Sequence, residues 1–126
     1  MTTNSDIALP TEMTIAGRNY GIIGFLKDDE SLILYSRMVA RLKSTGATLG
    51  EEDGQHILDH QREIPQVLRG KIIFVFTGWR LDDPPFIPKD SIIALIMWSE
   101  RDDSWVRRGA SIDIKWDSDF GALFHK

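Results

Sequence analysis

Seven acids and histidines stand between residues 51 and 63: Glu51, Glu52, Asp53, His56, Asp59, His60 and Glu63. Two of the chain's three histidines are among them, four residues apart. On a helix, Glu52, His56, Asp59 and Glu63 fall within about 60° of one another, with His60 about 40° further round. A histidine pair at i, i+4 holds a divalent ion such as zinc from a helix surface, and a carboxylate one turn away supplies a third ligand. The candidate metal set is therefore His56, His60, Glu52 and Glu63. The run reads HILDH rather than HExxH, so the general base of a metallopeptidase is missing from its usual place and no catalytic residue is assigned. The competing reading is the wet face of an amphipathic helix, where acids and bases at these spacings are ordinary. Glu51, Glu52 and Asp53 then complement the helix dipole.

A second group is aromatic. Trp79, Trp98, Trp105 and Trp116 all lie in or beside strand-like runs. Tryptophan serves both β-cores and interface hot spots. Pairing across the ERDDS turn sets Trp98 opposite Trp105 and Met97 opposite Val106. If that sheet face is uncovered, Trp98, Trp105, Trp79 and Arg107 mark a partner-binding or self-association surface. Arg80, Arg107 and Arg108 could stack on nucleobases. A net charge of −4 and the lack of an RNA-module signature argue against a nucleic-acid partner.

Other chemistry is excluded or unsupported. The chain has no cysteine, which removes disulfides, thiolate metal sites and a cysteine nucleophile. GxSxG and GxGxxG are absent. Asp82-Asp83 and Asp117/Asp119 sit in turn-like contexts, where aspartate serves turn geometry.

Elements must position these groups. With 126 residues the chain supports one domain with its own core. Residues 1–11 read as a loose tail and 12–126 as a single domain. EMTIAGRNYGIIGFL alternates about a turn at Gly17-Arg18 and predicts a hairpin over 12–26, with Ile15 opposite Tyr20 and Met13 opposite Ile22. Tyr35, Met38, Val39 and Leu42 form a helical stripe, capped by Asp29 or Ser31 and closed by Gly46, with Arg37 and Arg41 on its outer face. Thr48 and Glu51 form a capping box for a second helix ending near Glu63, followed by a short turn from Pro65 to Gly70.

KIIFVFTGW and SIIALIMWSE are apolar on both faces and read as central strands. The proline-rich LDDPPFIPKD between them reads as a stiff loop carrying Phe86 and Ile87. Gly109 suggests a bulge or bend, Ile112, Ile114 and Trp116 alternate, and FGALFH closes the chain as a strand. The order ββ-αα-βββ(β) predicts an α+β fold: an antiparallel or mixed sheet of about five to six strands with two helices packed on one face.

No run approaches the length of a membrane span, and the first residues lack the charged and apolar regions of a signal peptide. The expectation is a soluble cytoplasmic protein. Its composition is similar to that of small, acidic, cysteine-free adaptor or immunity proteins, which implies a non-enzymatic protein-interaction domain without cofactor, self-associating or partnered. The alternative is a divalent-metal-binding protein, possibly a hydrolase, centred on His56 and His60.

Overall fold

The sheet mixes strand directions because its last strand enters the middle. The computed structural model describes residues 9–81 and 92–126. Six strands run β1 (Glu12–Ile15), β2 (Arg18–Ile23), β3 (Ile73–Arg80), β4 (Ile92–Ser99), β5 (Ser104–Ser111) and β6 (Phe120–His125), in the spatial order β1-β2-β6-β3-β4-β5. Among the described residues the strands pair antiparallel except β3 with β6, where Ile73 meets Phe120 and Phe74 meets Gly121. Two helices, α1 (Tyr35–Ser44) and α2 (Glu51–Asp59), precede β3. The predicted α+β class, strand count and element order stand.

The helices do not share one face. Met38 and Leu42 of α1 pack with Val75, Ile93, Leu95, Ala122 and Trp116. Ile57 of α2 packs with Phe74, Phe76, Ala94, Ile96 and Leu123 on the other side. The physical reason is the two-sided apolar pattern of β3 and β4, which demands cover on both faces. Each large side chain so buried contributes about 1.5–3 kcal/mol.

The β1–β2 turn falls at Ala16-Gly17 rather than Gly17-Arg18, with φ of 46° and 86°. Two positive φ values make it a type I′ turn, the form whose twist suits a tight hairpin. Met13 therefore faces Tyr20, and Ile15 faces Arg18. The shift is by two residues, so the apolar face is kept.

Neither helix is capped as expected. Leu34 is the N-cap of α1 and makes no side-chain cap. Glu30, upstream of the helix, instead grips Arg41 in a fork, at 2.5 and 2.9 Å, and accepts the Lys27 N–H at 2.8 Å. Those hydrogen bonds hold its carboxyl down at about 2. Arg41 also donates to the Phe25 carbonyl at 2.8 Å, so it is not part of a free basic stripe with Arg37. Gly46 does close α1: its φ is 73°, and Ala47 N–H reaches Leu42 O at 2.9 Å.

Thr48 does not cap α2, because residues 48–50 are drawn onto β3. Gly50 bridges Gly78, and the Gly78 N–H donates to Leu49 O at 3.0 Å. A Cβ on Gly78 would lie 2.7 Å from Thr48 O, so the close approach needs glycine. The ladder between β3 and β4 shifts here, from Phe76↔Ala94 to Arg80↔Ile93. That bulge turns Trp79 onto the α2 face. Gly109 carries no bulge, since it pairs in register with Ala94.

α2 ends at Asp59 and gives way to 3-10 turns at Gln61–Glu63 and Gln66–Leu68. Beyond β5, Trp116 bridges Ile33 and is fully buried, while Ile114 is exposed. Most of the expected stiff loop, with Phe86 and Ile87, lies outside the described residues, as does most of the expected tail.

Candidate functional site

The acidic and histidine face of α2 is not wet along its length. It fastens the helix to the β1–β2 hairpin and to the end of β6. Asp53 is 7 % exposed. Its Oδ1 accepts from the Tyr20 hydroxyl at 2.7 Å and from Arg18 Nη1 at 3.2 Å. Its Oδ2 lies 3.0 Å from His125 Nε2. Burial alone pushes the Asp53 carboxyl up, but hydrogen bonds from Tyr20 and His125, with the charges of His125 and Arg18, outweigh it and leave the group below its ordinary value. Tyr20 moves the other way: burial first, then its bond to Asp53, push its hydroxyl up to about 12.

The predicted metal set is placed as follows. His56 Nε2 lies 2.8 Å from the Ile15 carbonyl. A carbonyl only accepts, so Nε2 carries the hydrogen. Glu63 Oε1 accepts the Ala16 N–H at 2.7 Å, supporting the left-handed residue of the hairpin turn. The His60 ring lies 4.9 Å from that of His56, and its Nδ1 is buried with no hydrogen-bond partner among the described residues. Glu52 is exposed. Among the described residues, no group of three or more His, Cys, Asp or Glu side chains is gathered to hold an ion.

The tryptophans divide differently. Trp116 is fully buried among the α1-side residues. Trp79 is buried against Gly54 and stands edge-on to Phe76. Trp105 is buried between Phe74 and Trp98, with ring centroids 5.5 and 5.9 Å away. The Trp98–Trp105 and Met97–Val106 pairings are as the sequence predicts. Of the four predicted contact residues, Trp98 and Arg107 keep accessible surface. Arg69 lies 4.4 Å over the Trp98 ring and Arg107 lies 5.7 Å over Trp79.

Outward-facing backbone lies along β5, the eight-residue strand at one end of the sheet order. Gln61 Oε1 accepts the Trp105 N–H at 2.8 Å and Gln61 Nε2 donates to Trp105 O at 3.1 Å. Both backbone groups of Trp105 thus point away from β4. By the alternation of an antiparallel ladder, so do those of Arg107, Gly109 and Ser111. Ser111 O accepts Ile114 N–H at 3.4 Å. Arg107 O is covered by the Arg108 guanidinium at 3.1 Å. The Arg107 N–H and both groups of Gly109 meet no backbone partner among the described residues.

A window on the sheet edge is therefore bracketed by Gln61 at one end and the 111–114 turn at the other, with Arg107 and Arg108 exposed beside it.

Sequence reasoning missed Asp53 and Gln61. Asp53 lies four residues before Ile57 and next to Gly54, which puts it on the buried side of α2, and that spacing was the available signal. Gln61 carried none. The chain matches no family model, no curated protein and no solved structure.

Proposed function

We propose that this protein is a small non-enzymatic interaction domain that holds an extended segment of a partner protein along β5. The observation that carries the reading is the stretch at Arg107 and Gly109 on β5, where the Arg107 N–H and both Gly109 groups point outward and meet no backbone partner among the described residues. Sheet edges with unpaired N–H and C=O groups are templates for strand addition. The opposite edge is less suited: β1 has four residues, follows Pro10, and has its hairpin end tied by His56 and Glu63. Exposed Arg107 and Arg108 give a bound segment side-chain contacts. Among the described residues no helix is long and apolar enough to cross a membrane. A cytoplasmic setting is part of the proposal, supported by the cysteine-free composition.

The test is capture by the wild-type chain and by Arg107→Pro. The N–H at 107 points outward, so proline there removes no bond to β4, and edge strands tolerate it. A partner held by wild type and lost by a folded Arg107→Pro protein supports the reading. A partner retained equally by both contradicts it.

A further inference from the structure

Resting on the edge-strand reading above, we infer that the segment joining β5 is acidic, with two consecutive carboxylates opposite Arg107 and Arg108. Successive residues of a strand point to opposite faces. Arg107 lies on the α2 side, over Trp79. Arg108, the next residue, lies on the other side. A strand added alongside also alternates, so two consecutive acids place one carboxylate beside each guanidinium.

The covering bond from Arg108 to Arg107 O fits this arrangement. A carboxylate opposite Arg108 draws its guanidinium aside and frees that carbonyl for an incoming N–H. The basic pair stands out from a chain of net charge −4, so the attraction is local to this edge. A second copy of the chain fits poorly here. Antiparallel self-pairing centred on the window brings the arginines of both copies together, and like charges across strands are unfavourable.

The experiment uses the full ¹⁵N-labelled chain and three short extended peptides that differ only in a central Glu-Glu, Gln-Gln or Lys-Lys pair. The Glu-Glu peptide should shift the Arg107 and Gly109 amides, bind about ten-fold more tightly than the Gln-Gln peptide, and weaken as salt rises. In the double variant Arg107→Glu/Arg108→Glu the preference should pass to Lys-Lys. If Gln-Gln binds as tightly as Glu-Glu while moving the same amides, the acidic assignment is wrong and strand addition survives. If no peptide moves those amides, both readings fail.

Discussion

Gln61 holds Trp105 by both of its backbone groups, accepting from the N–H at 2.8 Å and donating to the carbonyl at 3.1 Å. One carboxamide thus does at Trp105 what a neighbouring strand does elsewhere. Its two bonds mark the direction in which every second peptide of β5 points, a direction set by the ladder with β4. It also ends the covered part of the edge, so the open part begins two residues later.

Removing that carboxamide leaves two backbone groups to water. Gln61→Ala should destabilise the fold by about 1–3 kcal/mol, at roughly 0.5–1.5 kcal/mol per hydrogen bond. Tm should fall by several degrees, read by calorimetry. An unchanged Tm would show that the clamp contributes nothing.

Stability should be lost at both ends of the pH range. The carboxyls of Glu30 and Asp53 titrate lower in the fold than their ordinary 4.5 and 3.8. Their contribution is complete above those values and lost as pH falls, for Glu30 toward about 2. Tyr20 is raised from 10.0 to about 12, so its contribution is complete below 10.0 and lost as pH climbs toward the higher value. Urea unfolding at a series of pH values should show a plateau between these limbs. Tyr20→Phe should flatten the alkaline limb and Glu30→Gln the acid one.

Helix propensity and packing give opposite signs at Gly54. An alanine there should gain about 1 kcal/mol by propensity. Its Cβ would instead sit 2.3 Å from the buried Trp79 ring. Overpacking of this kind costs about 1–3 kcal/mol, so Gly54→Ala should lower the urea midpoint. A raised midpoint would mean that the ring yields freely.

How far the molecule could be read from its sequence divides along local and distant information. Trp98 opposite Trp105 was legible because one turn and two alternating runs fix that register. The cover on both faces was also written there, since KIIFVFTGW and SIIALIMWSE have no polar face. Placing both helices on one side ignored that demand. Asp53 escaped because three acids in a row all suit a helix start. Which one turns inward is decided by Tyr20 and by His125, 72 residues away. The β5 window depends on Gln61, 44 residues from Trp105, and no local pattern announces such a clamp.

His56 and Glu63 hold the hairpin through Ile15 O and the Ala16 N–H. Adding zinc, or a chelator, should therefore leave Tm unchanged, whereas a bound ion would raise it with concentration. His56→Ala should lower Tm with or without zinc. A zinc-dependent rise in the wild type that is lost in His56→Ala would restore the metal reading.

The most direct test of the account is amide hydrogen exchange along β5 in the free protein, followed by NMR. The fold predicts alternation: slow exchange at Val106, Arg108 and Ala110, whose N–H groups face β4, and fast exchange at Arg107 and Gly109. Protection at Arg107 and Gly109 equal to that of their neighbours would mean that the edge is already occupied, and would contradict the proposal that β5 awaits a partner strand.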